Sequence, residues 1–80
     1  MKTLIAANWK MNKTVPEAVD FLNQLKELTK DADVDIVICG PYTALKEMSN
    51  CVEGTKIKIG AENMFIEEEG AFTGEISPIM

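Results

Sequence analysis

Leu4-Ile5-Ala6-Ala7-Asn8-Trp9-Lys10-Met11-Asn12 places an amide, an indole and an ammonium directly after a short apolar run. Read as a strand, the run ends at Asn8, and Lys10 follows just beyond its carboxyl end. In parallel α/β folds ligands bind outside the carboxyl ends of the strands, so Asn8 and Lys10 stand where an active site is expected.

Downstream, β-type and helical segments alternate. Val34-Asp35-Ile36-Val37-Ile38-Cys39 and Ile57-Lys58-Ile59-Gly60-Ala61 are short and rich in β-branched residues, which predicts strands near 3–8, 34–39 and 56–61. Between the first two, Thr14-Val15-Pro16-Glu17 has the spacing of a capping box, and Ala18, Leu22, Leu25 and Leu28 recur at three and four residues. That predicts an amphipathic helix near 15–30. A second helix is expected near 43–53, opened by Pro41 and Thr43, with Ala44, Leu45, Met48, Cys51 and Val52 on one side and Gly54 as its stop. A long loop over 62–77 follows the third strand.

The predicted order is β-α-β-α-β. Right-handed crossovers between neighbouring parallel strands put both helices on one face of the sheet and leave the other bare. In a (β/α)8 barrel those bare faces turn inward and close on one another. The first βα loop, Asn8 to Thr14, contains no glycine, so it is not a G-x-G-x-x-G dinucleotide turn, and no Walker motif is present. The fold class is therefore α/β, and the barrel is favoured over a doubly wound sheet.

Thirteen Asp and Glu stand against eight Lys and no Arg in 80 residues, a formal charge of −5. That balance argues against nucleic acid or an anionic membrane as partner, because both require a basic face. Cys39 and Cys51 form no C-x-x-C and the chain has no histidine, so neither a metal nor another cofactor is expected, and the two thiols read as reduced and buried. The apolar stretch behind Met1-Lys2 is too short for a signal peptide core, and no run reaches membrane-spanning length. A cytoplasmic location is the expectation.

Ala7-Asn8-Trp9-Lys10-Met11-Asn12 resembles the N-terminal signature of the triosephosphate isomerases, and Gly70-Ala71-Phe72-Thr73-Gly74-Glu75-Ile76-Ser77-Pro78 resembles the third-loop signature of the same family. Gly60-Ala61-Glu62-Asn63 is similar to the family's Ala-Gln-Asn segment. The resemblance implies interconversion of dihydroxyacetone phosphate and glyceraldehyde 3-phosphate through an enediolate, in glycolysis and gluconeogenesis. It implies Asn8 and Lys10 as catalytic, substrate-contacting residues, with Trp9 in the binding segment, its ring more suited to packing than to touching substrate. It also implies a homodimer in which Phe72, Thr73, Gly74 and Glu75 enter the other subunit and Met11 helps to receive them.

The family's electrophilic histidine and glutamate base lie in later βα units. Ser77-Pro78 is a helix-start signal with no helix behind it. The expectation is therefore an incomplete TIM barrel over residues 1–80, inactive alone. A non-catalytic anion-binding module and a self-associating barrel fragment are the alternatives. Glu62, where the family usually has an uncharged Gln, is expected to pair with Lys10 or to change its orientation.

Overall fold

Each strand of the sheet lies parallel to the next because a helical segment returns the chain to the end of the sheet where the previous strand began. In the computed structural model, which describes residues 2–80, the elements are β1 (Leu4–Asn8), α1 (Val15–Thr29), β2 (Asp35–Gly40), a 3-10 turn (Tyr42–Ala44), α2 (Leu45–Cys51) and β3 (Ile57–Ala61). The sheet order is β1-β2-β3, and both pairings are parallel. No regular helix or strand follows Ala61.

The register decides what each face carries. Ile5, Ile36 and Ile57 form one row, and Ala7, Ile38 and Ile59 form the next, all directed at the helices. Ile36, Ile38 and Ile57 are buried there with Ala18 and Leu22 of α1, Met48 of α2, and Ala44, Val52 and Trp9. The alternate residues Leu4, Ala6, Asn8, Val37, Cys39, Lys58 and Gly60 line the opposite face. Among the described residues no helix covers that face, as expected for consecutive βα units of a parallel barrel.

α1 begins with a complete capping box. The Thr14 backbone N–H donates to Glu17 Oε1 at 2.9 Å, and the Glu17 N–H donates back to Thr14 Oγ1 at 3.4 Å. Pro16, in the first turn, suits a position whose own N–H needs no partner in the helix. α1 and α2 are joined where Lys26 Nζ donates to Cys51 O at 2.9 Å, which satisfies a carbonyl at the end of α2.

Four expectations require correction. Leu28 is 82% exposed: α1 runs fifteen residues and α2 only seven, so the end of α1 has little to pack against. Leu4 and Ile5 are also exposed, Leu4 because it lies on the bare face of the sheet and Ile5 because β1 is an edge strand whose first residues extend past the helix cover. Thr43 opens no helix; Pro41 precedes the 3-10 turn and Ala44 precedes α2, both without side-chain caps. Cys39 and Cys51 are free but only half-buried, and the Cys51 thiol donates to Asn23 Oδ1 at 3.3 Å.

Candidate active site

Asn8 is the last residue of β1, paired with Cys39, and it stands on the bare side of the sheet. The next residue, Trp9, extends the pairing by one bond, its N–H donating to Cys39 O at 3.0 Å. Its ring turns to the helix side and is buried. There it meets Gly40, where an added Cβ would come within 3.3 Å of the indole and within 2.7 Å of Met48 Sδ. A glycine at the end of β2 is thus what lets the indole and the thioether reach the sheet.

Beyond Trp9 the backbone takes an unusual course. Lys10 has φ 57° and Lys13 φ 79°, both in the left-handed region. For residues with a Cβ that conformation costs about 1–2 kcal/mol each, so the surroundings must hold it. Two side-chain bonds brace the segment. Asn8 Oδ1 accepts the Lys10 N–H at 2.8 Å, and Asn12 Nδ2 donates to Trp9 O at 2.8 Å. The capping box closes the loop at Thr14. The Thr14 backbone N–H, its hydroxyl at 3.0 Å and the neighbouring Lys13 charge hold the Glu17 carboxyl below its ordinary value, against the opposing effect of desolvation.

Lys10 itself is exposed, and among the described residues the ion pairs are Lys2–Asp35 and Lys30–Glu27. The expected pairing of Glu62 with Lys10 is not formed. Glu62 follows β3, and its Oε2 is buried without a hydrogen-bond partner. Among the described residues the site therefore presents one ammonium in no ion pair and, on Asn8, an amide nitrogen with no hydrogen-bond partner. Together they suit a small anion. Among the described residues no group of His, Cys, Asp or Glu is arranged to hold a metal ion.

A family model described as Triosephosphate isomerase matches residues 3–80. The chain belongs to the triosephosphate isomerase family. The triosephosphate isomerase of Clostridium botulinum (strain Loch Maree / Type A3) is 56% identical over 77 residues, covering 96% of this chain and 31% of the relative. That of Alkaliphilus metalliredigens is 51% identical over 79 residues, covering 99% of this chain and 32% of the relative. The crystal structure of triosephosphate isomerase from Bartonella henselae superimposes with a TM-score of 0.84 at 30% identity, over 95% of this chain and 31% of that one. The chain spans about a third of the length of the curated relatives it matches, and its open three-stranded sheet is the N-terminal part of a TIM barrel.

The triosephosphate isomerase signature over 70–78 lies in the long loop after β3. Phe65 N–H donates to Ile76 O at 2.8 Å and ties the base of the loop. At its tip Glu75 N–H donates to Phe72 O at 3.1 Å, with Gly74 at φ 88°, the conformation that the third residue of a type II turn requires. The Phe65 and Phe72 rings lie 4.6 Å apart, while Phe72, Thr73, Gly74 and Glu75 remain exposed. Met11 is 97% exposed on the first loop, and no hydrogen bond among the described residues joins it to this turn.

Reading the residues alone missed three contributors. Asn12 braces the lysine loop, Gly40 admits Trp9, and Phe21 lies edge-on to the indole with ring centroids 5.4 Å apart. A signal for Phe21 was present, since it sits three residues after Ala18 and four before Leu25, within the apolar stripe. Asn12 lies inside the N-terminal signature, but nothing there showed that it braces the loop, and nothing in the pattern marked Gly40.

Proposed function

We propose that these residues supply the first catalytic segment of a triosephosphate isomerase that interconverts dihydroxyacetone phosphate and glyceraldehyde 3-phosphate. The observation that carries this reading is Lys10, held in a left-handed conformation just past β1, paired with no acid among the described residues and braced by Asn8. The substrate is a phosphate dianion, and proton abstraction beside its carbonyl gathers further negative charge in an enediolate. An ammonium fixed before the reaction stabilises that charge without reorganising during it. Asn8 braces the loop through Oδ1 and offers Nδ2 to a substrate oxygen. Trp9 fixes the segment by packing, not by touching the substrate.

Proton transfer needs an acid and a base, and the chain contains no histidine. The electrophilic histidine and the glutamate base belong to later units of the barrel, so the 80 residues alone turn over no substrate. The exposed turn Phe72–Glu75 enters the second subunit of a homodimer near Met11, which explains an apolar ring kept at the tip of a loop. No helix among the described residues is long and apolar enough to cross a membrane, and the two free thiols, Cys39 and Cys51, favour a reducing, cytoplasmic setting.

The test is Lys10→Met in a barrel of the family's full length that carries these residues. Removing one preorganised charge-stabilising group costs about 10²–10³-fold in turnover, and kcat/KM for glyceraldehyde 3-phosphate is expected to fall at least that far. Near-parental turnover in a folded Lys10→Met protein would remove the assignment.

A further inference from the structure

We infer that Phe21 is the positioning residue of the lysine loop. Its ring meets the loop on both sides of Lys10. Before the lysine, Trp9 lies edge-on to it at 5.4 Å and 84°. After it, the Lys13 ammonium sits 5.3 Å from the ring centroid. One side chain of α1 thereby sets the span between two loop residues that bracket the substrate-facing cation.

The other braces act at short range. Asn8 reaches two residues along the chain, Asn12 three, and the Thr14–Glu17 pair three. None of them ties the loop to α1 beyond its first turn, whereas Phe21 holds both ends of the loop to the body of the helix. Trp9 is in turn fixed to β2 through Cys39 O and against Gly40, so the ring of Phe21 bears on an anchored surface. An edge-to-face aromatic pair and a cation over a ring both depend on ring geometry, and an aliphatic residue of similar bulk reproduces neither.

The placement of Phe21 separates this role from core filling. It is 38% exposed, while its neighbours Ala18 and Leu22 are fully buried and supply the contacts of α1 with the sheet. Both left-handed lysines are thus tied to one feature of α1, Lys13 directly and Lys10 through Trp9 and the bond from Asn8.

The inference rests on Lys10 being the substrate-facing cation, and the experiment keeps the two apart. In the full-length barrel, kcat and KM are measured for Phe21→Leu, Phe21→Tyr, Lys13→Met, Lys10→Met and the double variants Phe21→Leu/Lys10→Met and Lys13→Met/Lys10→Met. A small misplacement of a reacting group costs up to about 10²-fold, so Phe21→Leu is expected to lower kcat about tenfold with KM changed less than about twofold. Phe21→Tyr, which keeps the ring, restores turnover. In the Lys10→Met background Phe21→Leu has no further effect, because two residues acting through one charge are not additive.

A Phe21→Leu loss that persists undiminished without Lys10 would mean an ordinary structural role and overturns the inference. So does a parental kcat for Phe21→Leu in a protein that Lys10→Met disables. If Lys10→Met itself leaves turnover unchanged, the reading of the site fails and the inference with it. Should Phe21→Leu not fold, Lys13→Met leaves the ring in place and decides the matter: a loss of about two- to fivefold in kcat that vanishes in the Lys10→Met background is expected, and no loss is fatal.

Discussion

Asn8 Oδ1 accepts the backbone N–H of Lys10 at 2.8 Å, which gives one side chain two separable duties, an oxygen for the loop and a nitrogen for the substrate. Asn8→Asp keeps the oxygen and replaces the amide donor with a charge; Asn8→Ala removes both. In the full-length barrel Asn8→Asp is expected to melt near the parent while its KM rises about tenfold or more, since a carboxylate beside a dianion is repelled. Asn8→Ala should lower stability by about 1 kcal/mol for the lost bond, together with kcat. Thermal melts combined with steady-state kinetics separate the two. Parental turnover by the aspartate variant would show that Nδ2 is idle.

Glu62 carries the buried carboxylate oxygen that lacks a partner. A polar atom desolvated without a hydrogen bond costs about 1–3 kcal/mol, more if charged. Glu62→Gln removes the charge and adds a donor, so it should raise stability by about 1 kcal/mol. Urea denaturation of the two full-length proteins reads this directly. A lower midpoint for the glutamine variant would mean that the carboxylate meets a partner supplied by another part of the barrel.

Gly40→Ala tests the seat of Trp9. The added methyl would lie 2.7 Å from Met48 Sδ and 2.8 Å from its Cε. Met48 is fully buried, so its thioether end has no solvent to move into. Overpacking of this kind costs about 1–3 kcal/mol. Combining Gly40→Ala with Met48→Ala should cost less than the two changes added together, as differential scanning calorimetry would show. Strict additivity would contradict the contact.

The Glu17 carboxyl is held below its ordinary value by the Thr14 N–H first, then by the Thr14 hydroxyl and Lys13. A group whose folded pKa is depressed stabilises the fold above its unfolded value, about 4.3 for glutamate, and that contribution is lost as pH falls through the lower folded value. Stability should therefore decline on acidification below this point. Glu17→Gln should flatten that part of the profile. A variant whose acid profile overlays the parent's would assign the decline to other carboxylates.

Much of this architecture was legible because several local signals agreed. The capping box over Thr14–Glu17 and the spacing of Ala18 and Leu22 describe an element that is made by short-range contacts, and such elements can be read from short windows. The start of the second helix was not, because the 3-10 turn at Tyr42 lies beside the loop after β3, where the Tyr42 hydroxyl donates to Asn63 O. The sequence also put Asn8 and Lys10 forward as candidates, whereas it carried no sign of their geometry. Two left-handed lysines run against residue preference, and only the tertiary surroundings of the loop supply the reason. Gly40 belongs to the same class, since its meaning is the size of Trp9 and Met48 across space.

The bond from Trp9 N–H to Cys39 O bears on the order of events during folding. α1 is a local element with its own cap and can form on the submicrosecond scale of helix growth. The loop before it has no such independence, because Trp9 is seated only when β2 has docked beside β1, thirty residues away. Loop closure over that distance must precede any reward from the contact. Helical signal should consequently appear ahead of burial of the indole, and Lys10 should acquire its left-handed geometry in the same late step that zips β1 to β2.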